Sequence, residues 1–166
     1  KCTANALWLS YHFDYFSDTA ALVSHHHPRF KWMGAGVRNG IIPMDNTNSG
    51  VYQIRLTVDK KCRIPIGKLD EFTFPEGQYV YTGRAGKNLT QRISRHKRSD
   101  KKCFWHIDYL LSNKCVRILD INVVSLNSDD ECIENKKLLK GRASIAVKGF
   151  GATDCKHNCE AHLLFF

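Results

Sequence analysis

From Gly50 onward the chain alternates. In residues 51–58 the apolar side chains of Tyr52, Ile54, Leu56 and Val58 fall on one side and Gln53, Arg55 and Thr57 on the other, the pattern of a strand with one buried face. Residues 63–67 and 69–77 form a β-rich connection with turns at Gly67 and Pro75-Glu76-Gly77. Residues 78–83 predict a second strand, antiparallel to the first, with Tyr79 and Tyr81 on one face. The period then changes. Residues 87–98 have helical spacing, with Leu89, Ile93 and His96 inward and Arg92, Arg95, Lys97 and Arg98 around them. A short helix is expected over 104–111 and a third, β-branched strand over 116–126. Asn127-Ser128-Asp129-Asp130 reads as a turn with a ready cap for a helix over 131–140. Gly149-Phe150-Gly151 breaks the chain again, and residues 162–166 are a short apolar end suited to an edge strand. The expected class is α/β (α+β), a small three-stranded, mainly antiparallel sheet flanked by helices.

Residues 1–49 do not share this order. Aromatic and apolar residues at 7–16 and 20–23 lack a clean period, and a stretch rich in Gly, Asn and Ser reads as loop and linker. His25-His26-His27 is expected to be polar loop rather than a metal site. The division is therefore an N-terminal extension, 1–49, and one domain, 50–166. The extension is a candidate for contact with a protein partner.

Charge changes the picture. The net charge is +9, of which residues 1–49 carry +1 and residues 50–166 carry +8. Residues 84–102 hold eight basic side chains against one acid, Asp100. Such a stripe is the footprint of a polyanion partner, here nucleic acid. Its candidate contacts are Arg84, Lys87, Arg95, Lys97, Arg98, Lys101 and Lys102. No apolar stretch approaches the roughly 20 residues of a membrane span. No secretory pattern opens the chain, and seven scattered cysteines are too sparse for a disulfide scaffold. Reduced thiols packed as small apolar residues, and an intracellular location (cytoplasmic, or nuclear in a eukaryote), are the expectation.

The chemistry concentrates in two strings, Gly50-Val51-Tyr52 and Tyr81-Thr82-Gly83, followed by Arg92 and His96. Two tyrosines on neighbouring strands would meet an arginine and a histidine one helical turn apart. That set suits phosphodiester cleavage: a hydroxyl to take a proton, a guanidinium for the phosphate and an imidazole nearby.

These residues resemble the GIY-YIG nuclease superfamily. Over 50–166 the chain is most similar to a domain of unknown function in that superfamily, sometimes fused to endonuclease III-type glycosylases. The matching strings are Ile66-Gly67-Lys68-Leu69, the run Phe74 to Gly83, Trp105-His106-Ile107-Asp108-Tyr109-Leu110, Glu131-Cys132, Gly149-Phe150-Gly151 with Asp154-Cys155, and His162-Leu163. The resemblance implies a metal-dependent endonuclease acting on DNA, of the repair or structure-selective type. Tyr52 would be the base, its phenol lowered by Arg92 and the metal, with Tyr81, Arg92, His96 and His106 as further catalytic residues. It implies Mg²⁺ (or Mn²⁺) held by one glutamate, Glu131 ahead of Glu134. The alternative is a catalytically inactive nucleic-acid-binding module in a larger assembly. Arg84 stands where relatives carry a small serine, which would add a phosphate contact or crowd the site. Cys155, His157, Cys159 and His162 have the residue types of a zinc site. They lie on one short segment, however, whereas structural zinc sites usually join two. Packing is the expectation there.

Overall fold

The computed structural model describes residues 48–166. The readings made for residues 1–47, including the histidine triplet, lie outside the described residues. The chain runs β1 (Gly50–Val58), β2 (Cys62–Pro65), β3 (Glu71–Phe74), β4 (Gly77–Ala85), α1 (Leu89–Lys97), α2 (His106–Leu111), β5 (Val116–Ser125), a 3-10 turn at Ser128–Asp130, α3 (Glu131–Leu139), β6 (Ser144–Ile145) and β7 (Leu163–Phe165). The class is the α+β class expected, with an antiparallel sheet and flanking helices.

The main sheet has five strands rather than three, in the order β5-β1-β4-β7-β6, and β2 and β3 form a separate two-stranded sheet. The chain's last strand is therefore not an edge. β7 pairs with β4 through Tyr81↔Leu163 and Tyr79↔Phe165, and the two residues of β6 cover its other side. A two-residue strand is too short to leave a period in the sequence.

β1 lies between β4 and β5. Tyr52, Ile54, Leu56 and Val58 are each at most 1% exposed and enter one core with Tyr79, Tyr81, Leu89, Ile107, Leu110, Phe150 and Leu163. The opposite face is less open than alternation predicts: Gln53 is only 4% exposed, and Arg55 is half-buried and paired with Asp120 across the ladder to β5.

The two helices next to the tyrosines are short, so packing and caps must hold them. Asn88, at the start of α1, is left-handed (φ 57°) and makes no side-chain cap. Asn48 does so instead, its carbonyl accepting from Leu89 N–H (2.9 Å) and its Oδ1 from Thr90 N–H (3.0 Å). At the other end, Lys101 Nζ donates to His96 O at 2.8 Å. α2 docks through Ile107 and Leu110, both 0% exposed. Each such burial is worth about 1.5–3 kcal/mol. Asp108, on the same helix, accepts from Phe104 and Trp105 N–H and so caps its first turn.

Candidate active site

The β1–β4 register sets Tyr52 opposite Gly83 and Ile54 opposite Tyr81, so the two tyrosines are diagonal neighbours on one face. Gly83 lies between them. A Cβ there would stand 2.8 Å from the Tyr52 ring and hydroxyl and 2.9 Å from Tyr81 Cε1. Only a residue without a side chain lets both rings lie across β4. Gly151, at φ +70°, does the same on the far side of Tyr81, where a Cβ would stand 2.8 Å from Cε2.

Arg92 and His96 share one face of α1, as their spacing requires. His96 is 2% exposed, and its Nε2 is 2.7 Å from the Tyr52 hydroxyl. Burial, reinforced by the Lys101 charge, lowers the His96 pKa to about 4. Burial also raises Tyr52 well above the ordinary phenol value; Arg92 pulls it down through charge and a hydrogen bond, but less strongly. Arg92 by itself does not bring Tyr52 below the ordinary phenol value, because desolvation outweighs the guanidinium. Both partners are neutral at pH 7. The phenol then donates to Nε2, and the imidazole proton sits on Nδ1, which has no hydrogen-bond partner and faces Asp108 Oδ1 at 4.0 Å. Tyr81 is also raised well above the ordinary phenol value, by burial and then by Tyr52 and Glu131.

Glu131, at the start of α3, reaches the same place. Its charge acts on both tyrosines, Arg84 Nε lies 3.5 Å from Oε2, and His162 Nδ1 lies 3.5 Å from Oε1. Glu134 is turned to Lys137 instead. Tyr52, Tyr81, Arg92, His96 and Glu131 therefore converge, from β1, β4, α1 and α3. His106 is a step removed. Its Nδ1 accepts from Gly151 N–H at 3.0 Å and its ring packs on Phe150, which in turn packs edge-on to Tyr81. With Nδ1 so engaged, His106 braces the wall behind Tyr81.

The basic stripe divides. Arg84, Lys87, Lys97, Arg98 and Lys102 are exposed. Two of the expected contacts are spent elsewhere. Arg95 makes a bidentate pair with Asp108 at 2.8 and 3.0 Å and donates to Lys102 O. The Lys101 side chain is 5% exposed and lies 3.8 Å from Asp108 Oδ1. A buried carboxylate demands such partners, and Asp108, fully buried, takes these two. Arg84 faces Glu131 and Asp129.

Two features were not assigned from sequence. Trp105 is half-buried, with the guanidiniums of Arg92 and Arg95 over its ring at 4.4 and 4.3 Å. Asp108 is the hub that joins Arg95, Lys101 and His96. Its own pKa is lowered: burial raises it, but the Arg95 and backbone hydrogen bonds prevail. The cysteines also depart from expectation. Of the free ones described, only Cys132 is buried, and Cys103 is disulfide-bonded rather than reduced.

Fold and side-chain geometry together define a small α+β domain whose inner strands carry paired tyrosines against an arginine, a histidine and a carboxylate. The chain belongs to the family described as domain of unknown function DUF123, whose family model matches residues 51–166. No curated protein and no solved structure matches it. No described helix is long and apolar enough to cross a membrane.

Proposed function

We propose that this domain is a metal-dependent endonuclease of the GIY-YIG type that hydrolyses phosphodiester bonds in DNA. The observation that carries the reading is the convergence of Tyr52, Tyr81, Arg92, His96 and Glu131 beside an exposed basic strip. A pure binder has no use for a carboxylate among phosphates, whereas a hydrolase does.

The donor set suits a hard cation. Mg²⁺ binds through one or two carboxylates plus water and phosphate oxygens. Glu131 offers one such carboxylate, whose present contacts, Arg84 and His162 at 3.5 Å each, are at the limit of hydrogen bonding. A divalent cation bound there supplies charge relief on the phosphate and on the leaving oxygen.

The remaining roles belong to the chain's own residues. Arg92, held over Trp105, clamps the phosphate. Tyr52 takes the proton of the attacking water only as it gives up its own. The acceptor in place is His96 Nε2, unprotonated at neutral pH. Asp108 faces the Nδ1 proton and offsets the charge that the imidazole then gains. Tyr81 orients the water or the phosphate. The setting is intracellular, where the nucleic acid is.

One observation favours a second reading, a binding module without turnover: burial holds both phenols in their neutral form. A Mg²⁺-dependent nicking assay on plasmid and branched DNA separates the two. Cleavage by the wild type that is lost in Tyr52→Phe and Glu131→Ala supports the nuclease. Cleavage that survives both substitutions defeats the site. No cleavage, with salt-sensitive binding retained, supports the binding module.

A further inference from the structure

We propose that Cys132, Cys155, Cys159 and His162 form a closed, structural zinc site. One ligand atom from each of the four lies within 4.8 Å of all the others. Tetrahedral Zn²⁺, with Zn–S near 2.3 Å and Zn–N near 2.0 Å, separates its ligand atoms by about 3.5–3.8 Å, so small side-chain adjustments close the set. The Sγ atoms of Cys132 and Cys155 are already 3.3 Å apart, although these residues are 23 positions apart in sequence.

The segment from 155 to 162 alone looks insufficient for such a site, because its candidate ligands crowd one stretch. The fold removes that objection. Cys132 comes from the first turn of α3, so two separate segments meet, and His157 is replaced in the set. The scaffold is also prepared. Asn135 Nδ2, one turn along α3, donates to Ala161 O at 2.8 Å and ties the helix to the ligand-bearing segment. Between Cys155 and Cys159 the chain turns through Asn158 at φ 51°, which brings the two thiols back to one side.

His162 supplies the most direct sign of a missing partner. It is 1% exposed, and neither ring nitrogen has a hydrogen bond within the protein. Nδ1 faces Glu131 at 3.5 Å, which leaves Nε2 for the metal. A carboxylate behind a ligating imidazole is the usual way its ring is oriented and its tautomer fixed. The fourth position is taken by protein, so the site has no room for a reacting water and its role is to fasten α3 to the C-terminal segment. Three sulfurs and one imidazole in tetrahedral array select Zn²⁺ over Mg²⁺ or Ca²⁺. The inference does not depend on nuclease activity, and its readouts involve no nucleic acid.

The test uses the full chain, purified under reducing conditions without chelator. Elemental analysis should find one zinc per chain, released when the thiols are blocked with a mercurial. Replacement by Co²⁺ should give the intense visible bands of a tetrahedral site and thiolate-to-cobalt charge transfer, both abolished by back-titration with Zn²⁺. Cys159→Ser and Cys155→Ser should lose the metal, and Cys62→Ser, outside the cluster, should keep it. The cobalt titration needs only wild-type protein, so a variant that fails to fold does not remove the test. Protein that holds no zinc and shows no tetrahedral cobalt spectrum would overturn the proposal. So would an iron–sulfur chromophore, a Cys132–Cys155 disulfide in place of metal, or full zinc content in both cluster variants.

Discussion

The Tyr52 hydroxyl and His96 Nε2, 2.7 Å apart and both buried, form one neutral hydrogen-bonded pair linking β1 to α1. Removing the hydroxyl leaves a buried imidazole nitrogen without its partner. Tyr52→Phe is expected to lower stability by about 1–3 kcal/mol in urea unfolding, as for other orphaned buried polar groups. It is also expected to abolish Mg²⁺-dependent nicking. Unchanged stability would mean the pair is looser than its distance implies.

The same pair shapes acid sensitivity. In the unfolded chain His96 takes up its proton near 6.5, but in the fold burial and the Lys101 charge, with Arg95 and Arg92 adding and Asp108 opposing, delay this to about 4. Between those values the unfolded state binds more protons, so stability falls as pH drops from 6.5 to about 4. The shift corresponds to about 3 kcal/mol. Asp108 acts lower: its folded pKa lies below 3.8, so its contribution is complete above that value and is lost as pH falls further. His106 shifts in the same direction as His96 and His162 in the opposite one, so the comparison must isolate His96. His96→Gln, which still pairs with Tyr52, should flatten the upper limb in urea titrations at stepped pH.

Glu131 faces two directions, toward the tyrosines and toward His162. Glu131→Gln should abolish nicking while the chain still binds DNA. If the carboxylate also orients His162, the same change should weaken zinc retention by about 10–100-fold against a competing chelator. Zinc retention that does not change confines Glu131 to the phosphate side.

Gly83→Ala places a methyl group where the Tyr52 and Tyr81 rings already lie, at 2.8 and 2.9 Å. The neighbours are large, buried rings, so the strand or the rings must shift. A loss of about 1–3 kcal/mol is expected, together with loss of cleavage. An active, stable Gly83→Ala protein would show that the two rings are not fixed in place.

Exposed and engaged basic residues should behave differently in binding. Lys97→Ala and Lys102→Ala should each lower the salt dependence of DNA binding by about one unit of slope, with little effect on folding. Arg95→Ala leaves the buried Asp108 with Lys101 and two backbone donors alone and should cost about 1.5–3 kcal/mol of stability. Fluorescence anisotropy at stepped salt, alongside urea unfolding, checks both.

The strand and helix periods around Tyr52, Tyr81, Arg92 and His96 were legible because each side chain's direction follows from its own element's repeat. The five-stranded sheet was not, since Ser144–Ile145 carries no periodicity and a three-residue strand reads alike at an edge or in the interior. Arg95 and Lys101 looked like phosphate ligands because their partner, Asp108, sits on another helix and reads as an ordinary cap residue. Cys132 escaped notice for the same reason: sequence spacing ranks near neighbours, and its own lie on the far side of a loop.

Asn48 bears on where a gene fragment should be cut. The family match opens at Val51, yet the first turn of α1 hangs on a residue upstream of it. A fragment begun at the match boundary would leave the arginine-bearing helix with a frayed start, and a negative assay on protein prepared that way would say nothing about the intact chain.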